Sequence, residues 1–154
     1  MNEIERIIDQ IRRAYDGDAW HGPPLRAILA DVSADLAAAK PIRDVHSIRE
    51  IVRHLTFWYN AVRRRIGGEA VEADEVEQWP TAIDSGEAAW QHELADLERS
   101  HAALLEAVGQ LGVQDLERPV PGKPYNVYVL LHGMVQHNLY HAGQVALLKK
   151  AAGG

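Results

Sequence analysis

From Asn126 to Lys150 the chain runs without a proline, and its apolar side chains recur at intervals of three and four. Val127, Leu130, Leu131, Met134, Val145 and Leu148 fall on one side of a 3.6-residue helix, with His141 among them. Asn126 is a good N-cap, and Lys149 and Lys150 lie where the dipole of such a helix favours cations. A helix of this length spans roughly 37 Å. It needs partners to cover its apolar side.

Three other segments supply them. Ile4, Ile7, Ile8, Ile11 and Tyr15 make an amphipathic stripe from about Asn2 to Tyr15, which Asp16, Gly17 and Asp18 stop. Ser47 and Glu50 fit a capping box, and Ile48, Ile51, Leu55, Trp58 and Val62 continue from it until Gly67 and Gly68 end the run. Asp84 and Glu87 fit a second capping box for a helix whose inward stripe is Trp90, Leu94, Leu97, His101, Leu104, Leu105, Val108 and Leu111, ended by Gly112. Short helices are expected from Leu25 to Ala30 and, capped by Ser33, through Ala39. The segment from Leu116 to Pro124, with its prolines, reads as loop with room for a short strand pair. Four long helices and no convincing strand make an all-α four-helix bundle with long connecting loops, a single domain over residues 1–154. Long loops at the end of a bundle are where sites are built.

Charge and composition remove several function classes. The net charge is −6 with histidines neutral, the reverse of a nucleic-acid binder. The one tight basic run, Arg63, Arg64 and Arg65, sits at an expected helix C-terminus, where the dipole accounts for it. No apolar stretch approaches a membrane span, and the charged N-terminus lacks a signal-peptide core, so the expected location is the cytoplasm. There is no cysteine, hence no disulfide, thiolate metal site or cysteine nucleophile. A metal would have to be held by His, Asp or Glu.

The histidines meet that requirement. His137 and His141 are four residues apart, which stacks their imidazoles on one helix face. Paired histidines at this spacing can bind one divalent ion. His54, between Ile51 and Trp58, lies at the edge of the buried stripe of the helix that starts at Ser47, and facing helices of a bundle can project ligands inward. Spacing alone leaves two readings open, a three-histidine metal site and a row of core histidines bonded to Ser, Gln or water. Three neutral imidazoles suit Zn²⁺, Ni²⁺, Fe²⁺ or Mn²⁺ and leave a coordination position for water. Glu50, one turn before His54, is a candidate general base or partner for that imidazole, against a purely capping role. Gln144, three after His141, is a candidate to orient the water. His132 is about 140° around the helix from His137 and reads as outward-facing. His92 should be solvated, His101 a hydrogen-bonded core residue, and His21 and His46 loop-associated.

Several blocks match a known family in order along the chain: Trp20, His21, Gly22 and Pro23; His46, Ser47 and Ile48 followed by Glu50 and His54; Trp58; and the run Gly133 to Gln144. The chain resembles the DinB/YfiT-like superfamily, whose name refers to DNA-damage inducibility and not to the polymerase that shares it. The resemblance implies a DinB-type four-helix bundle, a homodimer, and one divalent metal, Zn²⁺ or Ni²⁺ foremost, on three histidines that map onto His54, His137 and His141. It also implies small-molecule chemistry. Members of the family include thiol S-transferases that use low-molecular-weight thiols such as bacillithiol or mycothiol. Three functions therefore stand as expectations: a metal-dependent thiol transferase, a metal-dependent hydrolase, and a non-catalytic metal-binding stress-response protein.

Overall fold

The computed structural model describes residues 1–153; Gly154, the last residue of the expected domain and of its glycine end, lies outside them. Six α-helices follow one another: α1 (Glu3–Tyr15), α2 (Leu25–Leu29), α3 (Ala34–Ala38), α4 (Ile48–Ile66), α5 (Glu87–Gly109) and α6 (Val127–Ala151), with a 3₁₀ turn at Val113–Glu117. The long four form a square bundle. α1 and α4 lie diagonally, and each packs against both α5 and α6, while α2 and α3 close one end against α6 and α4.

Most of the helix starts follow from the local sequence. Asn2 and Glu5 make a reciprocal capping box on α1, and Ser47 and Glu50 make the expected one on α4. The Asn126 side chain accepts from Val129 N at 3.0 Å at the head of α6. Such caps contribute about 1 kcal/mol each. The start of α5 differs from expectation. The helix begins at Glu87 after Gly86, whose φ of 87° is open to glycine, and no Asp84 capping box forms. The Glu87 carboxylate instead accepts from Ala34 N at 2.9 Å at the head of α3. A tertiary contact has taken the acid that the local pattern assigned to α5. The loop before α6 holds a single antiparallel bridge, Pro119 to Asn126, rather than a strand pair.

The apolar stripes meet in one core. Ile7 and Ile11 of α1, Ile51 and Leu55 of α4, Trp90, Leu97 and Leu104 of α5, and Leu131 of α6 are all shut off from solvent. Full burial contributes roughly 1.5–3 kcal/mol for each large apolar side chain. Polar groups inside are tied together. Trp90 Nε1 donates to the Val32 carbonyl at 2.7 Å, and the Tyr59 hydroxyl donates to Asn138 Oδ1 at 2.8 Å, which stitches α4 to α6. Among the described residues no helix is long and apolar enough to cross a membrane.

His101 occupies the place its stripe foretold, buried and stacked on Tyr15 with ring centroids 4.0 Å apart. Burial holds its imidazole below the ordinary value of 6.5, with the Ile11 backbone acting the other way. The unfolded chain therefore takes up this proton first as pH falls. The resulting loss of stability begins near pH 6.5 and levels off below the folded value. In metal-free protein, wild type should lose urea resistance between about pH 7.5 and about pH 5, and His101→Phe should lose less over the same interval. Identical pH dependence in the two proteins would mean that His101 titrates alike folded and unfolded.

Candidate metal centre

α4 and α6 are neighbours, so residues on their facing sides converge. His54 and His141 are buried and His137 is half-buried. Their Nε2 atoms point at one another: His54 to His137 at 3.1 Å and His141 to His137 at 3.1 Å. Among the described residues these three form the one group of His, Asp and Glu close enough to share an ion. Two nitrogens bound to one ion at about 2.0–2.1 Å lie roughly 3.0–3.4 Å apart at the usual coordination angles.

Proton positions sharpen the point. His54 Nδ1 sits 2.6 Å from the Gln78 carbonyl, which can only accept, so Nδ1 carries the hydrogen and Nε2 presents a lone pair. The side-chain oxygen of Gln144 does the same for His141 Nδ1 at 2.6 Å. Two lone pairs thus face His137 Nε2. A single proton on His137 can satisfy one of them, whereas a divalent cation satisfies all three nitrogens. His137 Nδ1 is buried with no partner, so this ring is held by packing and has no hydrogen-bonded orienter. Burial is the main cause that lowers all three imidazoles, His54 to about 4 and His137 to about 3, and the neighbouring histidines depress those two further. All three are then neutral at pH 7, the form that ligates. The donor set fits a divalent metal, and the three-histidine group can hold one.

The loop between α4 and α5 adds what its acidic composition did not disclose. Trp79 lies flat between two imidazoles, 3.9 Å from the His54 ring and 3.5 Å from the His46 ring. With Gln78 it forms a cover over His54. His46 in turn has Nδ1 3.6 Å from the Glu50 carboxylate. Glu50 is occupied by its capping bond from Ser47 N at 2.7 Å and by Lys40 at 3.0 Å. Burial pushes its carboxyl up, but these partners outweigh it and leave it below the ordinary range. The partner of His54 is the Gln78 carbonyl and not Glu50. Gln144 acts on the back of the His141 ring. A run of Trp and Pro in a loop next to a histidine helix was the available signal for the cover; the register of Gln78 was not readable.

The remaining histidines separate from the site. His92 and His21 are exposed. His132 is half-buried, tilted against Tyr128 at 4.3 Å, and apart from the cluster. The basic run at the end of α4 divides: Arg63 and Arg64 are exposed, while Arg65 is buried. Its guanidinium bonds the Val71 carbonyl and lies 5.2 Å from the Trp58 ring centroid. A cavity of about 430 Å³ opens beside His54 and His137, with Trp58, Arg65, Tyr125 and Met134 in its walls.

Neither a curated protein nor a solved structure matches the chain. The family model described as the DinB superfamily matches residues 20–145, which takes in α2 to α5 and the histidine-bearing part of α6. With that match over most of its length, the chain belongs to the DinB superfamily.

Proposed function

We propose that His54, His137 and His141 are the ligands of one divalent metal, Zn²⁺ or Ni²⁺ before Fe²⁺ or Mn²⁺, and that the protein is a metal-dependent transferase using a low-molecular-weight thiol. The observation that carries this reading is the pair of accepting nitrogens trained on His137 Nε2, each at 3.1 Å. A divalent ion bound there supplies Lewis acidity, which lowers the pKa of a thiol or water that reaches it. The chain's own residues do the rest. The Gln78 carbonyl and Gln144 fix which nitrogen of His54 and His141 is bare. Trp79 keeps water from one face of His54, and Glu50 caps the head of α4 one turn before His54. Glu50 and Gln144 are thus positioning residues in this reading; a base role for Glu50 would require release from Ser47 and Lys40. The chain has no cysteine, so a sulfur nucleophile must come from a cosubstrate.

The test is turnover of a panel of alkyl and aryl electrophiles by metal-loaded protein, with and without added thiol, alongside the absorption spectrum of the Co²⁺ form. Thiol-dependent turnover and a spectrum that changes on adding thiol are expected. Ester or amide hydrolysis without thiol would favour the hydrolase. A Co²⁺ spectrum that responds to neither thiol nor azide would favour a non-catalytic metal-binding protein.

The reading includes a homodimer. α6 is apolar almost all round, and Tyr128, Leu139 and Leu147 remain exposed on the side turned away from the core. A helix of that kind is normally covered on both sides. Light scattering at micromolar concentration should give twice the chain mass for wild type and the chain mass for Leu139→Glu. A monomeric wild type would remove the dimer.

A further inference from the structure

The cavity beside the histidine cluster contains a cation without a counter-charge. Arg65 is 4% exposed and forms no ion pair with any described carboxylate. Glu72, held below its ordinary range chiefly by Lys123 and to a lesser degree by Arg65, is exposed and bonded to Lys123 at 2.7 Å. Isolated charges are costly to bury, by several kcal/mol even after relaxation, unless partners compensate. Arg65 has partial compensation. Its Nε and Nη2 donate to the Val71 carbonyl at 3.1 and 2.8 Å, and Nη1 donates to the Tyr125 hydroxyl at 3.3 Å. One N–H on each terminal nitrogen has no protein acceptor. The Tyr125 oxygen accepts from Arg65, which leaves its own hydrogen free to donate. Trp58 Nε1 is buried with no partner at all.

Arg65, Tyr125 and Trp58 line the same cavity as His54 and His137, and no Asp or Glu is in its walls. Clamping the loop at Val71 explains two of the Arg65 bonds but not the remaining guanidinium N–H groups or the spare hydroxyl proton. We propose that this cavity is an oxyanion subsite, in which Arg65 and Tyr125, beside the Trp58 ring, bind the carboxylate of an apolar-bodied small molecule whose far end reaches His54 and His137. The apolar body matches Val62, Leu130 and Met134 in the walls. One arginine matches the single charge of a carboxylate; a phosphate dianion would call for a second cation, and the lining holds none. What the anchored molecule does there rests on the reading of the histidines as a metal centre. The subsite itself does not.

The test uses the full chain and two probes with the same carbon skeleton, 3-phenylpropionate and 3-phenylpropan-1-ol. Their binding is read from the ¹⁵N-indole signals of the four tryptophans, with Trp58 assigned by loss of its signal in Trp58→Phe. The acid should shift the Trp58 N–H saturably and bind at least about tenfold more tightly than the alcohol, as expected for a charge-assisted contact. Arg65→Met should erase that preference and leave alcohol binding unchanged. Tyr125→Phe should weaken the acid severalfold, and it leaves the Val71 clamp in place, so it decides the matter if Arg65→Met does not fold. Equal binding of acid and alcohol, or an acid preference retained in both variants, would overturn the proposal. Metal content measured on the same samples separates the two readings. Acid binding without metal uptake leaves the subsite standing and removes the metal centre; metal uptake without acid binding does the reverse.

Discussion

His137→Ala will lose divalent-metal binding, with affinity for Zn²⁺ or Co²⁺ falling on the order of 10³-fold or more. Loss of a group that merely orients a ligand already costs about 10–100-fold. His137 is the shared member of the cluster, 3.1 Å from both His54 and His141. Without it the other two Nε2 atoms have no common neighbour. His54→Ala should also release the metal, with weak residual binding by the α6 pair, because His137 and His141 remain one turn apart. His92→Ala, on the exposed face of α5, should bind as wild type does. The fold should survive all three changes, since the ligands lie beside the apolar core and each is neutral before it is removed. Competition titration with a chromophoric chelator reads all of this. Wild-type affinity in His54→Ala would take α4 out of the site.

The largest loss of stability is expected at a different pair. Arg49 on α4 and Glu93 on α5 form a two-pronged ion pair, Nε to Oε2 and Nη2 to Oε1, both at 2.9 Å. Their side chains are only 7% and 15% exposed. Glu93→Ala would strand a buried guanidinium, and such truncations cost about 3–5 kcal/mol. For a domain of this size that lowers the melting temperature by roughly 10 °C. Replacing both partners by apolar residues, Arg49→Met with Glu93→Leu, should recover most of the loss, because the cost lies in the orphaned charge. Arg49 also donates to the Asp84 carbonyl at 2.9 Å, at the far end of the loop that carries Gln78 and Trp79 over His54. Glu93→Ala should therefore weaken metal binding modestly as well. A change in unfolding free energy below about 1 kcal/mol would show the pair to behave as an exposed one.

These two cases mark where local sequence is informative. The long helices, the Ser47 and Asn126 caps and the inward faces of α1, α4 and α6 follow from three-and-four spacing, which depends on nothing distant. The same spacing put His137 and His141 on one face. His54 could be placed on a buried edge, but its meeting with α6 depends on which helices are neighbours, and the resemblance to a known family supplied that link. Local rules failed where a side chain answers to a tertiary partner. Glu87 stays at the head of α5, but one of its carboxylate oxygens serves the head of α3 in place of a capping box. Arg65 looked like one of three dipole-satisfying cations and is instead buried under the α4–α5 loop. Gln78 and Trp79 sit in a stretch with no periodicity; the Trp and Pro there were a signal for a cover, but not for which residue bonds His54 and which stacks on it. Gln144 was legible in position, but its bond to His141 required the rotamer.

The most direct measurement is X-ray absorption at the metal edge of protein loaded with one equivalent of Zn²⁺, run beside wild-type metal analysis. The account predicts one ion per chain with three imidazole nitrogens at about 2.0–2.1 Å and at least one further light-atom ligand. It predicts that the imidazole count drops in His54→Ala. No stoichiometric uptake, or a bound ion with fewer than three imidazoles and a first shell unchanged in His54→Ala, would contradict it.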